Sequence, residues 1–261
     1  MRTHSFIPAF AVAGLLTLVF VGCDGPAETT PAKDGGTDTG VATDSTPPGD
    51  TAVDTTPPAN EESIDDMEGG TGSISSTKGR AGAWYTYNDG TAGATQTPGV
   101  PFNPEKLATP RGTSKYAAHS VAKGFTTWGA GFGFNLNDKG DGDGGSTKTL
   151  YDASAYTGIT FWAKVSATSA TKMRVNISTK STDPTGGVCT PVDKCSDHYG
   201  GDVTLTPDWV KYTIMFADMS QQGWGTAAKT FETNMTYAVQ MKFDKGQDFD
   251  VYVDDIAFIK K

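Results

Sequence analysis

Apolar and polar residues alternate along the second half of the chain. In Ile159 to Val165 (ITFWAKV), Ile159, Phe161, Ala163 and Val165 fall on one side, and Thr160, Trp162 and Lys164 on the other. In Met173 to Ile177 (MRVNI), Met173, Val175 and Ile177 oppose Arg174 and Asn176. A period of two is the signature of a strand with one face buried. Val210 to Phe216, Tyr237 to Phe243 and Phe249 to Ile259 behave similarly, and clusters of Gly, Pro, Asn and Asp separate the runs. No long 3.6-residue pattern competes. Tyr151 to Tyr156 (YDASAY) predicts a short helix or a turn. About 200 residues of strands at this spacing predict an all-β fold, a single β-sandwich with jelly-roll topology.

The front of the chain has another pattern. Arg2 and His4 precede an apolar run from Phe6 to Val21 that ends in Phe20-Val21-Gly22-Cys23. This resembles a bacterial lipobox, with Phe20 departing from the usual Leu-like residue. The expectation is a signal peptide over residues 1–22 and a lipid on Cys23; an ordinary secretory signal cut near Gly22 is the alternative. Both readings export the protein, and the first makes it a membrane-anchored lipoprotein of the bacterial cell envelope. Residues 23–62 are dominated by Thr, Pro, Asp and Gly and lack aromatics. Such a segment buries too little apolar surface to offset its ordering entropy, so it reads as a disordered stalk before a folded domain at 63–261.

Composition narrows the partners. The formal net charge is -9 and no Lys/Arg-rich run occurs, which argues against nucleic acid. There are 32 glycines and a hydrophobic fraction of 36%, a mix that suits a loop-rich β protein. With Cys23 assigned to lipid, Cys189 and Cys195 remain, in CTPVDKC. In an oxidising compartment they read as a short-loop disulfide.

IDDMEGG, WYTYNDG, SKYAAH, GFTTWGAGFGFNLN, YDASAYTGITFWAK and DVYVDDIAFI together resemble galactose-binding-like jelly rolls. In particular they are similar to the family 11 glucan-binding carbohydrate-binding modules. The resemblance covers Ile64 to Ile259 and implies a monomeric module that binds polysaccharide. Many members of this broad superfamily bind sugars and others do not. It also implies a structural Ca²⁺ near the meeting of the first and last strands, with Glu68 and Asp255 as ligands and Asp66 as a further candidate. Oxygen-only ligation suits that ion. Strand alternation sets Asp255 beside Val251, Val253 and Ala257, and the other reading is a solvated acidic edge. Asn137 to Gly145 (NDKGDGDGG) reads as a solvated hairpin loop.

Sugar rings present apolar C–H faces, so aromatic rings flanked by polar side chains are candidate contacts. Tyr85 and Tyr87 share one strand face, with Asp89 close behind, and Trp84 faces the other way. Trp162 is expected on a polar face with Arg174 and Asn176. Asp197 and His198 follow the disulfide loop, and Trp224 in QQGWG reads as a loop tip. Trp128 is expected to pack in the core and Trp209 to anchor a strand. No catalytic signature is present: there is no Gly-x-Ser-x-Gly elbow, His-Glu-x-x-His helix or phosphate loop. The expected function is non-catalytic carbohydrate binding. The alternatives are a protein-interaction lipoprotein and, third, a glycoside hydrolase.

Overall fold

The computed structural model describes residues 60–140 and 147–261. The expected signal peptide, Cys23, nearly all of the stalk, and Asp141 and Asp143 of the glycine-rich loop lie outside them. Twelve strands form two antiparallel sheets among the described residues. The first sheet runs β10 (Val210–Met215), β7 (Tyr156–Val165), β12 (Phe249–Lys260), β5 (Ser114–Lys123) and β3 (Thr95–Thr97), with β1 (Glu61–Asp65) beside β12 and β4 (Glu105–Arg111) beside β5. The second runs β2 (Trp84–Asn88), β6 (Ala130–Asn135), β11 (Thr236–Phe243), β8 (Lys172–Thr179) and β9 (Tyr199–Thr204). The expected β-sandwich is present. β1 starts at Glu61, two residues before the expected domain start, and Tyr151 to Tyr156 forms a turn closed by Tyr156 N–H to the Ala153 carbonyl at 3.1 Å.

Alternation places the core as the sequence predicts. Ile159, Phe161, Ala163 and Val165 of β7 face Val175 and Ile177 of β8 and Val239, Met241 and Phe243 of β11 across one hydrophobic interior. Phe132 and Phe134 fill the space under β6, and Trp84 packs against both and against Phe102. Trp84 Nε1 donates to Asp65 Oδ2 at 2.8 Å, which satisfies the one polar atom of a buried indole.

β12 breaks the alternation. In β12 the register to β7 slips between Asp254 and Ala257, and Asp255 takes a φ of +45°. Asp254 is fully buried, whereas the Asp255 side chain is 33% exposed. The face assigned to Asp255 from simple alternation is therefore wrong, because a bulge turns the side chain outward.

Candidate functional site

The outer face of the five-stranded sheet is built in rows. Strand register aligns Tyr85, Gly133, Gln240, Asn176 and Gly200 across β2, β6, β11, β8 and β9. The next row is Tyr87, Gly131, Lys242, Arg174 and Asp202. Glycine occupies β6 and β9 for a steric reason. A Cβ on Gly131 would stand 2.5 Å from Tyr87 Oη, and one on Gly200 would stand 2.3 Å from Asn176 Oδ1. Larger residues there would lift Tyr87 and Asn176 off the sheet. The alternation GFGF thus fills the core with Phe132 and Phe134 and leaves a low floor outside.

Polar groups on the floor hold one another. Gln240 Nε2 donates to Tyr85 Oη at 3.0 Å. Arg174 Nε donates to Asn176 Oδ1 at 3.1 Å, and its other nitrogens reach Asp202 and the Ser220 carbonyl. Burial pushes the Tyr85 hydroxyl up to about 12 and the Tyr87 hydroxyl well up, so both stay protonated. Burial also lowers His198 to about 4, leaving a neutral imidazole whose Nδ1 lies 2.7 Å from Thr182 Oγ1.

Two exposed tryptophans stand at opposite edges of this floor. Trp128 stacks on Tyr87 at the β2 edge, 6.0 Å between centroids and 23° between planes. It is 41% exposed. Trp224, 48% exposed, stands on the loop beside the start of β9. Each loop is gathered by one aspartate. Asp89 Oδ2 accepts the backbone N–H groups of Thr127, Trp128 and Gly129 at 2.8 to 2.9 Å. Asp197 accepts those of Gln222, Gly223 and Gly225 at 2.8 to 3.1 Å. Gly223 has a φ of +88°, and a Cβ on Gly225 would stand 2.5 Å from Asp197 Cβ, so QQGWG is the sequence such a loop needs.

Between the tryptophans lies an open groove of about 900 Å³. Tyr87, Trp128 and Trp224 supply rings; Asn176, His198, Gln222 and Gln240 supply neutral polar groups; Lys242, Lys245, Asp193 and Asp244 supply charges of both signs. Lys242 pairs with Asp244 at 3.1 Å. From β2 to β9 the floor spans about 19 Å at the usual strand spacing. Such a groove suits an elongated neutral ligand with apolar faces and many hydroxyls.

No family model matches the chain, and no curated protein does. Among solved structures, it is similar to the family 11 carbohydrate-binding module of the cellulosomal cellulase Lic26A-Cel5E of Clostridium thermocellum, at 17% identity over 77% of this chain and 95% of that one, with a TM-score of 0.49. A family 30 carbohydrate-binding module matches at 16% identity, 68% of this chain, 82% of that one and a TM-score of 0.43. TmCBM61, solved with β-1,4-galactotriose, matches at 12% identity, 77% of this chain, 99% of that one and a TM-score of 0.34.

Of the residues singled out from the sequence, Tyr87, Asn176, His198 and Trp224 line the groove. Tyr85, Arg174, Asp89 and Asp197 act one step back: Tyr85 and Arg174 hold Gln240 and Asn176, and the two aspartates hold the tryptophan loops. Trp162 is elsewhere. It lies on the outer face of the other sheet, where the Arg111 guanidinium covers it at 4.7 Å. Its polar-face assignment holds, but the face belongs to the wrong sheet. Trp209 lies there too, beneath Arg111 and Lys164. Trp128, expected in the core, is a rim residue. Gln240 and Lys242 were missed, although YAVQMKF marks both as outward-facing. Cys189 and Cys195 form the expected disulfide.

The acidic residues expected to bind calcium are otherwise engaged. Glu68 Oε1 accepts the backbone N–H groups of Lys115 and Tyr116 at 2.7 and 3.0 Å. Asp66 accepts the Glu68 N–H, and Arg111 bridges Asp254 and Asp255. Among the described residues no group of three or more His, Cys, Asp or Glu could hold a metal ion. Of the residues expected as ligands, Asp255 has a guanidinium as its partner, and Glu68 and Asp66 accept backbone amides.

Proposed function

We propose that this domain binds polysaccharide without cleaving it, along the groove between Trp128 and Trp224. The observation that carries the reading is this pair of exposed rings, each fixed by an aspartate, on either side of a floor of amide and hydroxyl groups. Rings stack on the C–H faces of sugars while Asn176, Gln240 and Gln222 exchange hydrogen bonds with hydroxyls. The charged groups of the floor are paired, Lys242 with Asp244 and Arg174 with Asp202, so a neutral ligand need not desolvate an isolated charge there. β-Glucan is the proposed ligand, on the strength of the sequence motifs.

From the Phe20-Val21-Gly22-Cys23 motif we also propose an exported lipoprotein, with Cys23 lipidated and residues 23–62 as a stalk between anchor and domain. Affinity electrophoresis and calorimetry across a panel of soluble polysaccharides test the binding. Retention by at least one glucan, lost in a Trp128→Ala/Trp224→Ala double variant, is expected. No retention on any glycan overturns the proposal. Radiolabelled palmitate incorporation that disappears in Cys23→Ala tests the anchor.

A further inference from the structure

The Trp224 arm does not stand alone. Thr226 N–H donates to the Lys194 carbonyl at 2.7 Å, and Thr226 Oγ1 donates to the Thr190 carbonyl at 3.2 Å. Gly225 packs so closely that an added Cβ would stand 2.6 Å from the Lys194 carbonyl oxygen. Thr190 and Lys194 both lie inside the loop closed by Cys189 and Cys195. That loop has almost no apolar anchor of its own. Its 3₁₀ turn, Val192–Lys194, buries no residue, and Val192 is 70% exposed. By contrast, Cys189 and Cys195 are themselves buried, and Cys195 lines the groove. The covalent bond, rather than the core, therefore fixes the carbonyls on which the arm rests.

We propose that the Cys189–Cys195 disulfide is a positioning element of the groove: it holds the arm of residues 221–226, and so Trp224, in place at the β9 edge. Its consequence for ligand, which rests on the polysaccharide reading, is that tight binding requires the oxidised pair. Reduction by a dithiol adds two electrons and two protons to the pair, giving two thiols, while the reductant leaves as its own disulfide. The loop is short and superficial, so the sandwich stays folded when the bond opens.

The test compares oxidised wild type, dithiol-reduced wild type and a Cys189→Ser/Cys195→Ser variant by amide hydrogen exchange and by affinity electrophoresis in mixed-linkage β-glucan. The expected result is exchange at Gly225 and Thr226 at least tenfold faster once the bond is open, with the amides of β8 and β11 unchanged. Glucan affinity falls at least tenfold, by as much as in Trp224→Ala, and adding Trp224→Ala to the cysteine variant costs little more. Unchanged exchange at Gly225 and Thr226, or affinity losses that multiply in the combined variant, overturns the proposal. If the oxidised wild type binds no glucan, the polysaccharide reading has failed, and the exchange rates alone decide the role of the disulfide. Reduction of the already folded wild type keeps the test valid should the cysteine variant not fold.

Discussion

The carboxylate of Asp89 accepts the backbone N–H of Trp128 at 2.9 Å, along with those of Thr127 and Gly129. Three amides converging on one oxygen set the turn that presents the Trp128 ring over Tyr87. Burial works against the charge, but the Thr91 hydroxyl and these amides outweigh it and hold the Asp89 carboxyl well below its ordinary value of 3.8. A lowered carboxyl stabilises the fold fully above its unfolded value and loses that effect as pH falls toward the folded one. The Tm gap between wild type and Asp89→Asn is therefore expected to be widest above about pH 4 and to narrow on further acidification, as followed by scanning calorimetry. Glucan affinity of the variant at pH 7 is expected to fall several-fold.

The tryptophans separate function from stability. Trp128→Ala or Trp224→Ala is expected to weaken polysaccharide binding by about tenfold or more, with Tm nearly unchanged, because each ring stands in solvent. Trp84→Ala is expected to destabilise by about 3–5 kcal/mol, because it empties a core site. Trp162→Ala should leave affinity untouched. Calorimetric titration beside urea unfolding separates the four.

Asp65 and Asp254 set a second pH response. Burial raises both carboxyls to about 6, opposed at Asp65 by the Trp84 and Met67 N–H groups and at Asp254 by Ser114 and Arg111. The folded state binds these protons more tightly than the unfolded chain, so their ionisation lowers stability as pH rises from about 4 to above 6. Tm is expected to be higher at pH 5 than at pH 7.5, and Asp65→Asn should reduce that difference. A Tm that is flat between these pH values in wild type counts against the assignment.

Arg111 is the cation that pairs with Asp254 and Asp255. Arg111→Ala leaves Asp254 buried without its cation and is expected to destabilise by about 3 kcal/mol. Chelation by EGTA is expected to leave the wild-type Tm unchanged. A fall of several degrees on chelation, restored by added calcium, would contradict the role given to Arg111.

Gly131→Ala tests the floor. Its Cβ would stand 2.4 Å from the Met241 carbonyl oxygen as well as against Tyr87. The expected loss is about 1–3 kcal/mol of stability, together with weaker glucan binding. An unchanged urea midpoint would show that the sheet has room there.

Much of this could be read in advance from the residues. Alternation fixed which side chains of β7, β8 and β11 face inward, because a strand's period of two leaves no other arrangement once one face is apolar. It split Trp84 from Tyr85 and Tyr87 for the same reason, and the six-residue spacing of Cys189 and Cys195 suited their bond. Alternation cannot say which sheet a polar face belongs to. Trp162 and Tyr87 carry the same local pattern; only the pairing of β2 with β6, and of β7 with β10 and β12, sends one to an open groove and the other beneath Arg111. Nor does it foresee a bulge, which moved Asp254 and Asp255 to unexpected environments. The rims were decided last. Asp89 and Asp197 reach amides 38 and 25 or more residues along the chain. Only the folded sandwich brings those loops to the edges of one floor, so that two distant tryptophans bound a single site.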